Sequence, residues 1–176
     1  MIGLRVTIQQ DARQLETEND RAQDVALQAY LDQMSTLLIA KDLRASEGLS
    51  EVRTLARART LTVLRRLDSS RKTEVMRFLI EARPVQAEIV GNAQGEGVVK
   101  RAPVISLASA VLSDADLSST EPTGNIPVGV SIPVCVGALS GAALNYADLS
   151  SANLSHTLLQ EADLTGANLR HAKGII

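Results

Sequence analysis

The sequence predicts an α+β chain whose two classes are segregated, a helical N-terminal unit followed by a stack of short repeated coils. Three observations predict it. Apolar residues recur at helical spacing between residues 27 and 82, leucines recur at every fifth position from Leu139 to Leu169, and residues 84–101 separate the two regimes with three glycines and no sustained period. At 176 residues the chain is long enough for one ordinary domain or two small ones, and it can bury a core without disulfides or metals.

Residues 9–24, QQDARQLETENDRAQD, are polar on all sides yet rich in helix formers and free of breakers, so they continue the helix that follows as a solvent-exposed stretch. From Leu27 onward, Tyr30, Leu31, Met34, Leu37 and Leu38 mark one apolar helix face, and the helix is expected to end near Arg44 to Glu47, before Gly48. Ser50 is the expected N-cap of a second helix from Glu51 to about Leu67, with Glu51 placed where the helix dipole favours negative charge. Its apolar residues Val52, Leu55, Ala56, Leu61, Val63, Leu64 and Leu67 span a wide arc with arginines set among them. A third helix begins after Asp68, Ser69 or Ser70, shows Val75, Phe78, Leu79 and Ala82 on one face, and ends before Pro84. The short links favour antiparallel neighbours, so residues 1–83 read as a helical hairpin or three-helix unit. Residues 84–101 read as a linker, with GNAQGEG at 91–97 its flexible part.

Then the fives begin. Leu107, Leu112 and Leu117 form a first set, and Leu139, Leu144, Leu149, Leu154, Leu159, Leu164 and Leu169 form a second, unbroken one. Two residues before each leucine of the second set stand Gly137, Ala142, Ala147, Ala152, Thr157, Ala162 and Ala167. A five-residue unit with one large and one small apolar position offers two side chains inward and three outward. Burying its leucine contributes about 1.5–3 kcal/mol, while ordering its backbone costs about 1–2 kcal/mol per residue, so a lone unit cannot fold. Stacking must supply the rest, through ladder hydrogen bonds between coils about 4.8 Å apart and a continuous apolar column.

The pattern in ADLSS, ANLSH, ADLTG and ANLRH resembles the pentapeptide repeat proteins. The resemblance covers about residues 137–173, with a weaker outlier at 105–119, and implies a short right-handed quadrilateral β-helix with Leu and Ala pointing inward. Four faces per coil would stack Leu139 under Leu159 and Leu144 under Leu164. The stretch LQAYLDQMSTLLI followed by EVRTLARARTLTVLRRLD is similar to a helical module that precedes the repeats in some bacterial members, which often carry transmembrane segments upstream. This chain shows none, which suits a shortened relative.

The departures define further expectations. Leu117 and Leu139 lie 22 positions apart, not a multiple of five, so the register is expected to break between the two sets. Within the 102–176 repeat unit this leaves an irregular insertion at about 120–136. There Ile126, Val128, Val130, Ile132, Val134 and Val136 alternate as in a strand, and Pro127 and Pro133 confine it to an edge or a protruding loop. Residues 126–147 carry no charge, but their prolines and glycines make a poor membrane helix. At the far end the leucine position becomes Gly174, and an open coil edge there would favour homo-oligomerisation.

Composition narrows the chemistry. A single cysteine, Cys135, cannot form an internal bridge, and no export leader is evident, which together point to a cytoplasmic protein. Aromatics are 2% of the chain, which suits repetitive aliphatic packing better than an aromatic-lined pocket. Residues 102–176 hold 2 basic and 6 acidic residues, whereas between Glu51 and Lys72 seven basic residues face two acidic ones. That cluster, Arg53, Arg57, Arg59, Arg65, Arg66, Arg71 and Lys72, is the candidate anion- or partner-binding site, for nucleic acid or an anionic membrane surface. Its competing reading is structural, with arginine stems covering apolar neighbours and their heads pairing with Asp24, Asp32, Glu74 or Glu81. Asp114, Asp116, Asp148, Asp163 and Glu161 are read as outward residues of the coils rather than as acid–base pairs. His156 and His171 point outward on neighbouring faces without a third ligand, and Cys135 has no partner base.

No catalytic, cofactor-binding or metal residues are therefore expected, and the chain reads as a non-catalytic protein–protein interaction or scaffold protein with an unidentified protein partner. One alternative is a DNA-mimicking, gyrase-associated modulator, which the resemblance allows and the acidic C-terminal part favours. The other is nucleic-acid or anionic-lipid binding through the arginine-rich helix, with peripheral membrane association.

Overall fold

The computed structural model describes residues 2–40, 43, 50–82, 85, 88–91, 98–101, 103–118 and 139–174. Helix α1 spans Ile2–Ile39, α2 Glu51–Arg66 and α3 Ser69–Glu81. The caps follow the sequence: the Ser50 hydroxyl accepts from the Arg53 amide at 3.4 Å and the Asp68 carboxylate from the Arg71 amide at 2.9 Å. Helix α1 ends at Ile39, several residues before the end expected near Arg44 to Glu47. The Leu43 amide reaches back to the Leu37 carbonyl at 3.1 Å, closing the helix end as Leu43 becomes fully buried.

Helices α1 and α2 run antiparallel, since Gln23 meets Asp68 and Tyr30 meets Thr60. Thr60 spends its own proton on the Ala56 carbonyl, so the buried Tyr30 hydroxyl donates to it, at 3.0 Å. Helix α3 is tied to α1 by Arg71, which pairs with Asp20, Asp24 and its own cap, Asp68. The arc expected of α2 is narrower in the structure, with Leu55 44% exposed, and on α3 Met76 rather than Phe78 takes the fully buried place.

Residues 84–101, read as a linker, include two described strands, while 92–97 lie outside the described residues. Strands β1, Glu88–Gly91, and β2, Val98–Arg101, pair antiparallel with Glu88 opposite Arg101 and Gly91 opposite Val98. The apolar pairs Ile89–Val90 and Val98–Val99 are too short to give a strand signal beside Gly91, Gly95 and Gly97.

Beyond the hairpin the chain winds into stacked coils. Parallel bridges join Ala143 to Asp163, Asp148 to Asn168 and Asn153 to Lys173, each twenty residues, or four five-residue units, apart. The amide of Leu139 donates to the Leu158 carbonyl and that of Leu144 to the Asp163 carbonyl, which puts Leu139 against Leu159 and Leu144 against Leu164.

The expected break of register between the two leucine sets does not occur in space. Val111 bridges to Asp148 and Asp116 to Asn153, 37 residues apart. Leu107, Leu112, Leu117 and Leu139 are thus the four inward leucines of the first coil, and Leu144, Leu149, Leu154 and Leu159 those of the second. The extra residues fall in the chain between the third and fourth faces, and the ladder of the described faces runs on in phase. The strand-like alternation at 126–136, Cys135 and Gly137 lie outside the described residues. The Thr157 hydroxyl, standing where other units have alanine, donates to the Leu117 carbonyl at 2.6 Å, at the point where the chain leaves the coil.

Each unit turns the same way. The alanine amide bonds back to the leucine carbonyl three residues earlier, as Ala147 does to Leu144 at 3.0 Å. Among the described residues, the second residue after each repeat leucine takes a positive φ, from Ser109 at 62° through Tyr146 at 58° to His171 at 61°. At Gly166 a Cβ would also stand 2.7 Å from the Tyr146 ring, so a larger residue there would have to push that exposed ring aside. The inward leucines of the first coil and Leu144, Leu149 and Leu154 of the second are buried, whereas Leu159, Leu164 and Leu169 are only partly so. One hydrophobic cluster runs from Leu27 and Tyr30 through Leu79 and Ile105 to Leu154, so helices and coils share a core.

Candidate functional site

The seven basic residues singled out in the sequence do not form one surface. Two of them turn inward to the coils. Arg57 Nη2 donates to the Ala108 carbonyl at 3.2 Å, and Lys72, 7% exposed, places Nζ 3.4 Å from both the carbonyl and the hydroxyl of Ser113. Thr73 completes the set, accepting at Oγ1 from the Asp116 amide at 2.8 Å.

These three coil groups are the ones a preceding coil would have satisfied. One turn further on, the equivalents of Ala108 and Ser113 are Asn145 and Ser150, whose carbonyls accept from Ser109 and Asp114 of the first coil. The equivalent of the Asp116 amide, that of Asn153, donates to Ala115. Helices α2 and α3 thus stand in for a missing coil, closing a ladder edge whose open backbone groups would otherwise pair with another chain. Sequence reasoning assigned Arg57 and Lys72 to the arginine cluster and missed Thr73, because its role depends on a partner 43 positions away.

Of the remaining basic residues, Arg71 is held by three aspartates, with Asp24 accepting from its Nε at 2.8 Å. Asp24 was among the expected partners; Asp20 and Asp68 were not. The amide and guanidinium of Arg71 in turn hold the Asp68 carboxyl below its ordinary range, and the Asp24 hydrogen bond raises Arg71 above its own. Arg53 is half-buried and Arg65 exposed. Arg59 and Arg66 flank a groove of about 350 Å³ between α1 and α2, whose lining includes Ala26, Ala29, Tyr30, Gln33 and Ala58. Burial pushes the Tyr30 phenol up.

On the coils, the carboxylates serve the corners. Oδ1 of Asp116, Asp148 and Asp163 accepts from the amide two residues on, at 3.1, 3.1 and 3.0 Å, and Asn153 and Asn168 do the same at 3.2 Å. Hydrogen bonds from the side-chain hydroxyls of Ser118, Ser150 and Thr165, followed by those from the amides of the same residues, hold the three carboxyls below their usual range. Between coils, Asn168 Nδ2 donates to Asp148 Oδ1 at 3.0 Å. Asp114, His156, Glu161 and His171 occupy the positive-φ corner position and are exposed. Among the described residues no three His, Cys, Asp or Glu side chains are grouped to hold a metal ion, and no helix is long and apolar enough to cross a membrane.

The geometry of five-residue faces agrees with the comparison to known families: the Pentapeptide repeats family matches residues 139–173, in 8 copies. This segment is a run of pentapeptide repeats. No match was found among curated proteins or among solved structures. Residues 105–118, outside the matched segment, form three faces of the first coil in phase with it. The helical module meets the repeats at that first coil, through Arg57, Lys72 and Thr73.

Proposed function

We propose that the chain is a non-catalytic scaffold in which pentapeptide repeats, wound as a right-handed four-sided β-helix, present rigid outer faces to a protein partner in the cytoplasm. The observation that carries this reading is the division of labour within each five. Leucine and alanine fill the interior, the Asp or Asn before the leucine fixes the corner, and the remaining side chains stand outward on a backbone locked by inter-coil hydrogen bonds. A surface so held loses little conformational entropy when another protein docks on it. The twenty-residue pairing supports four faces per turn.

Nucleic-acid or anionic-lipid binding through the arginine helix draws less support, because Arg57, Lys72 and Arg71 are already engaged within the chain. The test is affinity capture with the full chain and with a variant in which the exposed corner residues Tyr146, His156, Glu161 and His171 are alanine, with unchanged helicity and thermal midpoint. A protein retained by the first and lost from the second supports the scaffold reading. Equal retention by both, or nuclease-sensitive retention, would overturn it.

A further inference from the structure

The groove between α1 and α2 has an occupant written into this chain. Every residue of α1 from Gln10 to Ala22 is exposed, and apart from the Asp20 tie to Arg71 this half of the helix has no packed face, whereas helices in proteins owe most of their stability to one. It carries one large apolar residue, Leu15, at 67% exposure, with Asp11 and Glu18 on either side along the same helix face. Farther along α1 that face becomes Ala22, Ala26, Ala29 and Gln33, and the last three of these line the groove. Across the groove stand Arg59 and Arg66 of α2. Among the described residues, neither these arginines nor Asp11 and Glu18 have an ion-pair partner.

We propose that two copies of this chain associate through their α1 helices, crossing antiparallel at Ala22, so that the exposed half of each α1 fills the groove of the other. The registers agree. A two-fold axis at Ala22 puts Leu15 of one copy opposite Ala29 of the other, Glu18 opposite Ala26 and Asp11 opposite Gln33. An incoming helix antiparallel to α1 runs parallel to α2. Asp11 then comes level with Arg59 and Glu18 level with Arg66, each pair seven residues apart, or about 10.5 Å along its helix. Leucine enters over alanine between the two charge pairs, and the alanine at the axis allows the helices to approach closely. The contact is isologous, so it closes at two copies.

Sedimentation equilibrium of the full chain over a wide concentration range tests this. A dimer is expected, and its dissociation constant should rise at least about tenfold in Arg59→Glu/Arg66→Glu and in Asp11→Lys/Glu18→Lys. All four substitutions together should restore association, which a merely misfolded variant could not show. In a Cys135→Ser background, Ala22→Cys should form an interchain disulfide on oxidation, whereas Leu15→Cys should do so only when Ala29→Cys is also present. A monomer at every concentration would overturn the proposal. So would a dimer indifferent to both charge reversals, a failure of Ala22→Cys to cross-link, or a Leu15→Cys homodisulfide, which marks a parallel pair.

Discussion

Replacing Thr73 by valine tests whether the helical module closes the ladder edge of the first coil. Thr73 is 8% exposed and its Oγ1 accepts from the Asp116 amide at 2.8 Å, while its own proton goes to the Ser69 carbonyl at 2.9 Å. Valine keeps the shape and removes both bonds. The Asp116 amide, part-buried at the edge of the first coil, loses its acceptor, and an unsatisfied donor costs up to about 1–3 kcal/mol. The bond to the carbonyl four residues back contributes little, and Thr36→Val, which removes the same kind of bond to Asp32 at an exposed site, measures that part. Equilibrium urea unfolding should show Thr73→Val less stable than Thr36→Val by about 1–2 kcal/mol at unchanged slope. Amide exchange at Asp116 should speed up with it, because the loss sits on that group. Equal costs for the two variants, with Asp116 exchange unchanged, would refute the edge-closing role.

Two further outcomes follow from the coils. Leu149, fully buried between Leu112 and Leu169, should lose about 2–5 kcal/mol on replacement by alanine, and the partly buried Leu169 at least about 1 kcal/mol less, as read by thermal or urea unfolding. Asp116, Asp148 and Asp163 all titrate below the ordinary carboxylate value of 3.8 when folded. Their contribution is therefore complete above the unfolded pKa and is lost as pH falls through the folded one. Thermal midpoints should hold steady above about pH 5 and drop in more acid solution, and the triple replacement by asparagine, which keeps the corner acceptor as Asn153 and Asn168 do, should flatten that drop.

The helices were legible because their signals are local. Ser50 and Asp68 cap where their side chains allow, and α3 buries Val75 and Leu79 at the spacing expected. The end of α1 was not legible, since it depends on Leu43 finding a buried place. The candidate site was half legible. Composition located the basic cluster, but only packing divides it into Arg57 and Lys72 on the coil edge, Arg71 on three aspartates, and Arg59 and Arg66 beside a groove.

The sequence by itself determined the pentapeptide repeats, because a five-residue period repeats the same local turn and the same inward pair wherever it occurs. Tertiary structure alone decided that Leu107, Leu112 and Leu117 share a coil with Leu139, for pairing in a stack depends on which corner the extra residues leave from and not on their number. It also decided what closes the first coil. A ladder edge needs donors and acceptors at fixed places in space, and Arg57, Lys72 and Thr73, scattered over two helices, reach those places only once the helices have docked.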